Sequence, residues 1–158
     1  MSSKIEYEIR QAQLEDINAI ISLMIDFYKE AGFHLNIEST EKALQYLISH
    51  PENGFIFIAF RDRKPLGHIV LSKRFAMEYE DFIGYVDDLF VQKEFRRARI
   101  GNALLDKLCE RAKELNLKSL QVEVGENNLP AIKLYEKIGL RAYQDGRVLL
   151  SKNLSRNN

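Results

Sequence analysis

An α+β fold with a mixed, mostly antiparallel sheet is predicted by three features of this sequence. First, the strand-like segments Phe55–Phe60, Gly67–Lys73 and Tyr85–Val91 follow one another with no helix between them, which gives an antiparallel meander. Second, the stretch from Gly84 to Val124 reads strand, helix, strand. That implies a right-handed crossover and one parallel pair within the sheet. Third, two helical patterns precede the meander and a further one follows the crossover. The predicted order is β-α-α-β-β-β-α-β-α-β-β, with about seven strands and about four helices in one domain, residues 1–158.

Each element has its own signature. Ile5, Tyr7 and Ile9 alternate with Glu6, Glu8 and Arg10, the period of a half-buried strand. Asp16 or Glu15 opens a helix in which Ile17, Ile20, Ile21, Met24, Ile25 and Tyr28 fall at helical spacing, ending near Gly32. After the connector from Phe33 to Thr40, Ser39 caps a second helix covering Lys42 to Ile48. Pro65 and Gly67 punctuate the turn after Phe60. An acidic, aromatic loop from Phe75 to Phe82 precedes the central strand. Beyond Gly101, Leu104, Leu108, Ala112 and Leu115 form one apolar stripe. Leu117 to Val124 returns as a strand, and Asn128 with Pro130 opens a helix that buries Ala131, Leu134, Tyr135 and Ile138 and stops at Gly139. Asp145-Gly146 separates a final strand pair, Arg141–Tyr143 and Arg147–Asn153.

Composition excludes several classes. Lys plus Arg equals Asp plus Glu at 23 each, so the overall basic bias of a dedicated nucleic-acid binder is missing. The single cysteine, Cys109, lies in an apolar helical pattern and reads as a buried thiol. His34, His50 and His68 lack metal-ligand spacing, and no metal is expected. No apolar run has the length of a signal peptide or a membrane span, so no membrane association and a cytoplasmic location are the default expectation.

The stretch from Gly84 to Gly101 is the most informative. An apolar strand runs into a short basic turn, Gln92 to Arg99, carrying Lys93, Arg96, Arg97 and Arg99. A helix starts directly after it. A helix N-terminus presents unpaired backbone N–H groups and partial positive charge, and so suits an anion. A solvated turn with no ligand is the alternative reading of the same residues.

Three motifs, together with the order of elements, resemble the GNAT superfamily of N-acetyltransferases over nearly the whole chain. Arg96 and Gly101 match the ends of that family's pyrophosphate loop, R/Q-x-x-G-x-G/A, but Arg99 replaces its middle glycine. Arg97 also stands where many relatives carry glycine. Asn128, Ala131 and Tyr135 match N-x-x-A-x-x-x-Y. Tyr135-Glu136-Lys137-Ile138-Gly139-Leu140 resembles the ending Y-E-K-x-G-F.

The resemblance implies transfer of an acetyl group from acetyl-CoA to a primary amine. It places the pyrophosphate on the N–H groups of Arg97, Ala98, Arg99, Ile100, Gly101 and Asn102, with basic side chains, Arg96 among them, near the adenosine phosphate. It runs the pantetheine along Leu89, Phe90 and Val91, where this strand splays from Gln121–Val124, with a backbone N–H near Leu89 holding the thioester oxygen. Asn128 and Ala131 would also contact the cofactor. Tyr135 would protonate the departing thiolate. Asp87 is the first candidate for the base, since diamine acetyltransferases carry a glutamate there, and Asp88 is the second. Strict alternation would send these two to opposite faces. If Arg99 needs a positive φ, its side chain carries about 1–3 kcal/mol of strain.

Glu78, Glu80, Asp81, Asp87 and Asp88 concentrate negative charge before and within the central strand, which favours a cationic acceptor. Glu78, Asp87, Phe33 and His34 are the candidate acceptor-binding residues. A small cationic amine is the first expectation. A protein lysine or N-terminus is the second, and a CoA-binding sensor without turnover the third. A homodimer through an exposed sheet edge is compatible with all three.

Overall fold

The structure is a computed structural model that describes residues 5–155. Its elements are β1 (Glu8–Gln11), α1 (Ile17–Glu30), α2 (Ile37–Ser49), β2 (Gly54–Arg61), β3 (Lys64–Ala76), β4 (Asp81–Val91), α3 (Ile100–Glu114), β5 (Leu120–Val122) and α4 (Leu129–Lys137). One sheet runs β1-β2-β3-β4-β5. Its first three pairings are antiparallel, and β4 pairs with β5 in parallel across the α3 crossover. The mixed α+β architecture and the parallel pair are as the sequence predicts.

Helices cover both faces. In β2, Phe55, Phe57 and Ala59 belong to the core under α3, while Ile56, Ile58 and Phe60 belong to the core under α1 and α2. Such a strand is buried on both sides, which is why it reads as an unbroken apolar run. Leu104, Leu105 and Leu108 of α3 are fully buried, each worth roughly 1.5–3 kcal/mol of transfer free energy. Gly84 is where β5 and β3 crowd β4, since a Cβ there would lie 2.8 Å from side-chain carbons of both Leu120 and Leu71.

Several boundaries differ from the expectation. There are five strands among the described residues, where about seven are predicted. The predicted pair Arg141–Tyr143 and Arg147–Asn153 has no ladder partner among the described residues, and Val148, Leu149 and Leu150 are 78%, 71% and 87% exposed. Local polar contacts take the place of pairing: Arg147 N–H donates to Asp145 Oδ1 at 3.2 Å, and its guanidinium pairs with Glu78 at 3.2 Å. The segment is thereby held toward the β3–β4 turn. Helix α2 starts at Ile37, before Ser39, because Asn36 Oδ1 accepts from Ser39 N–H at 2.9 Å and is the cap. In α1 the buried face includes Leu23, while Ile25 is turned outward. Strand β5 keeps only three residues of the predicted Leu117–Val124.

The β3–β4 ladder contains the feature that shapes the site. Val70 faces Asp88 and its neighbour Leu71 faces Val86, so Asp87 is an extra residue with no partner, a β-bulge. The bulge reverses the alternation. Val86 lies in the core under α3, whereas Phe90, four residues on, lies in the core under α1 and α2. Pairing with β5 also ends at Val86, so β4 beyond the bulge splays away from β5.

Candidate active site

The turn between β4 and α3 is built from a 3-10 segment, Lys93–Phe95, and two residues in the left-handed region, Arg97 at φ 70° and Arg99 at φ 63°. Arg99 occupies the N-cap of α3 without a side-chain hydrogen bond to the helix. The first-turn N–H groups of this helix therefore meet no side-chain cap, and Arg97 and Arg99 are exposed beside them. Such a terminus fits a pyrophosphate. The left-handed geometry exists here without the family's glycine, held by arginine at some strain. A Cβ at Gly101 would only touch Leu134 and Val91 at 3.7 and 3.8 Å, so the protein's own packing does not require glycine there.

Arg96 behaves differently from its neighbours. Its Nε donates to Val91 O at 2.9 Å and its Nη2 to both Glu30 oxygens at 2.8 and 2.7 Å. The guanidinium is thereby turned toward α1.

Beyond the bulge, the outer edge of Leu89–Val91 has no strand beside it among the described residues, which leaves the opening that an extended pantetheine arm would occupy. Leu89 and Val91 pack against the core that contains Tyr135. Asn128 Oδ1 accepts from Ala131 N–H at 3.3 Å and caps α4, with Pro130 in the first turn. This cap sets the rotation of a short helix that delivers Tyr135, only 7% exposed, to the inside.

Charge couples the residues at the opening. Burial, with a contribution from the charge of Asp87, pushes the Asp88 carboxyl up to about 6. Burial and the charge of Asp88 push the Tyr135 phenol up to about 12. Burial also raises Asp87, and the Ser72 hydroxyl beside it opposes the rise. The Tyr28 phenol of α1 is raised by burial and then by Asp88 and Asp87. Both carboxylates thus act on Tyr28, and the strict alternation expected of the pair does not hold across the bulge. A tyrosine kept protonated and a carboxyl raised toward neutrality give the opening a proton donor and a proton acceptor coupled through charge.

Sequence reasoning misses four members of this group, Tyr28, which it reads only as a helix-face residue, and Tyr85, Glu123 and Ser72. Burial pushes the Tyr85 phenol up to about 12, helped by a hydrogen bond to Glu123 and by Asp87. Tyr85 stands opposite Gln121 on β5, and Ser72 stands opposite Tyr85 on β3. The available signal is the alternation Gln121, Val122, Glu123, Val124, which gives one polar and one apolar face. Other predicted residues lie apart. Glu78 sits in the β3–β4 turn, and the rise of β4 from Asp81 to Asp87 puts roughly 20 Å between that turn and the bulge. Phe33, 68% exposed, and His34 lie in the α1–α2 connection, tied back by Phe33 N–H donating to Tyr28 O at 2.8 Å.

A concavity of about 1680 Å³ lies elsewhere, between α3, β5, α4 and residues 141–149, with Cys109, Val122, Ile132, Tyr143 and Leu149 among its walls. It lies where a sixth strand would pair beside β5, and it shares Tyr135 with the site. Among the described residues, no helix is long and apolar enough to cross a membrane, and no group of three His, Cys, Asp or Glu could hold a metal ion.

Comparison with known proteins agrees with this geometry. An uncharacterized N-acetyltransferase of Archaeoglobus fulgidus is 27% identical over 142 residues, 88% of this chain and 96% of its own. An N-alpha-acetyltransferase of Sulfurisphaera tokodaii is 28% identical over 147 residues, 86% of this chain and 81% of its own. An integron cassette protein from the mobile metagenome of Cole Harbour Salt Marsh superposes with a TM-score of 0.84 at 31% identity, covering 94% of this chain and 91% of its own. The acetyltransferase (GNAT) family profile matches residues 17–140, more than half of the sequence, and the chain belongs to that family.

Proposed function

We propose that this acyl-CoA-dependent N-acetyltransferase, acting as one domain over residues 1–158, transfers the acetyl group of acetyl-CoA directly to a small cationic amine within a ternary complex. The observation that carries the reading is the bulge at Asp87, which sets Asp88 where β4 leaves β5, with a charge that acts on both Tyr28 and Tyr135. Acetyl-CoA supplies an activated thioester when bound. The chain's residues supply the rest.

The N–H groups of Arg97 to Asn102 hold the pyrophosphate, with the exposed Arg97 and Arg99 adding charge. Asn128 and Ala131 keep α4 against the pantetheine arm. Asp88 is the base. A lysine-like ammonium is deprotonated in only about one molecule in a few thousand at pH 7, so a nearby carboxylate able to take its proton, directly or through water, raises the reactive fraction. Asp88 is preferred to Asp87 for this role because its charge acts on both Tyr135 and Tyr28. Asp87 is left to attract the cation, with Phe33 and His34 at the rim and Glu78 as a distant contribution to the field. Tyr135 returns a proton to the leaving thiolate.

A second reading is supported by the Sulfurisphaera tokodaii relative, which is named an N-alpha-acetyltransferase. In it the acceptor is the N-terminal amine of a protein. The open β5 edge and the exposed Val148, Leu149 and Leu150 support association of two copies in either case.

Release of free thiol from acetyl-CoA tests the proposal, using polyamines, diamino acids, aminoglycosides and short peptides as acceptors. Turnover with a small amine that collapses in Asp88→Asn supports it. Turnover with peptides alone transfers the assignment to the second reading. Tight acetyl-CoA binding with no thiol release from any amine indicates a sensor.

A further inference from the structure

Two side chains of α1 reach the turn that precedes α3. Asp26 and Glu30 are four residues apart and so share one face of the helix. Gln92 Nε2 donates to Asp26 Oδ2 at 3.5 Å, at the outer limit of a hydrogen bond. Arg96 is held far better. Its Nη2 donates to both oxygens of Glu30 at 2.8 and 2.7 Å, its Nε donates to Val91 O at 2.9 Å, and the guanidinium lies 5.5 Å from the centre of the Phe90 ring.

The grip matters because of the residues next in the chain. Arg97 and Arg99 are both in the left-handed region, which side chains disfavour and which persists only where the surroundings over-determine it. Arg99 makes no side-chain hydrogen bond to α3, so the cap itself does not enforce its conformation. Arg96 is the fixed point immediately before the strained pair, anchored at once to the strand it leaves and to a helix on the opposite face.

We infer that Glu30 is a positioning residue for acetyl-CoA: by gripping Arg96 it holds residues 96–99 in the backbone shape that opens the α3 N-terminus to the pyrophosphate. This rests on the reading of that turn as the pyrophosphate site. Glu30 touches no reacting atom. Its acidic charge near an anion site sharpens the inference. If Arg96 itself gripped the phosphate, Glu30 would compete with the ligand, and its removal would tighten binding. If Glu30 acts through the backbone, its removal weakens binding. The two roles have opposite signs.

The test is calorimetric titration of acetyl-CoA into wild type, Glu30→Gln, Arg96→Gln and the double variant, with steady-state kinetics alongside. Glu30→Gln is expected to raise Kd and the KM for acetyl-CoA by about three- to tenfold while kcat stays within about twofold. In the Arg96→Gln background the same substitution is expected to change Kd by less than about twofold, since its only route of action is gone. An unchanged or tighter Kd in Glu30→Gln overturns the inference, as does a loss that persists undiminished in the double variant. If wild type binds acetyl-CoA and Glu30→Gln binds equally, the inference alone fails. If wild type binds none, the pyrophosphate reading fails and the inference with it.

Discussion

Asp88 on β4 and Tyr135 on α4 are electrostatically coupled: the carboxylate's charge adds to burial in holding the phenol at about 12. A phenol so raised keeps its proton across the neutral range, as an acid for a departing thiolate must. Tyr135→Phe removes the hydroxyl and keeps the ring. It is expected to lower kcat by about 10²–10⁴-fold. Thermal unfolding of the variant checks that the loss is chemical, with a shift corresponding to less than about 1.5 kcal/mol expected for one hydroxyl.

Asp88 carries the opposite linkage from a salt-bridged carboxylate. Its folded pKa, about 6, lies above the ordinary value of 3.8, so between these values the folded state binds more protons than the unfolded. This contribution to stability therefore falls as pH rises through the window. Asp88→Asn is expected to be more stable than wild type at pH 7.5 by roughly 1–3 kcal/mol, with the difference vanishing near pH 4. The same variant should lose the acidic limb of kcat/KM near pH 6. Urea unfolding at several pH values, with pH–rate profiles, checks both.

His68 titrates the other way. It is fully buried beside Phe90, neither ring nitrogen has a partner among the described residues, and burial pushes its pKa down to about 4. The unfolded chain binds the extra proton between about 4 and the ordinary value of 6.5, so this contribution rises with pH across that range. His68→Leu is expected to gain about 1–3 kcal/mol at neutral pH by removing an unsatisfied buried group, and more near pH 5. Differences between each variant and wild type, measured by urea unfolding across pH, separate the two opposed linkages.

Arg99 tests how the turn tolerates the loss of glycine. Its φ of 63° is a conformation that glycine adopts freely. Arg99→Gly is expected to stabilise the fold by about 1 kcal/mol in thermal or urea unfolding. If backbone N–H groups carry the pyrophosphate, acetyl-CoA affinity should stay within about threefold at physiological salt. A tenfold loss would show that the arginine charge carries the contact.

Much of this protein is legible in its sequence because local signals and tertiary structure agree. The stripe Leu104, Leu108, Ala112 sits where its spacing says, and Asn128 caps α4 as its position before Pro130 implies. Asp87 and Asp88 read as an alternating pair because a bulge is a property of two strands together. Nothing within residues 84–91 announces that Val70 and Leu71 will skip one of them. Tyr85 passes for one of the apolar residues of β4, and its pairing with Glu123 depends on the crossover that brings β5 alongside. The final strand pair fails for a related reason. The chain does bend at Gln144–Asp145, but alternation and a bend give a strand only where a ladder and a buried face await it.

The unpaired Asp87 also makes the central strand sensitive to counting as well as to chemistry. Replacing Asp87 leaves every later side chain on its present face. Deleting it would make Val86 and Asp88 consecutive opposite Leu71 and Val70, a regular ladder with every later side chain still on its present face. Taking Asp87 into the ladder instead would be a slip of one residue, turning Asp88 and Phe90 toward α3 and Leu89 and Val91 toward α1 and burying a charge in the opposite core. What the site requires is that position 87 stay out of the ladder, whatever side chain stands there.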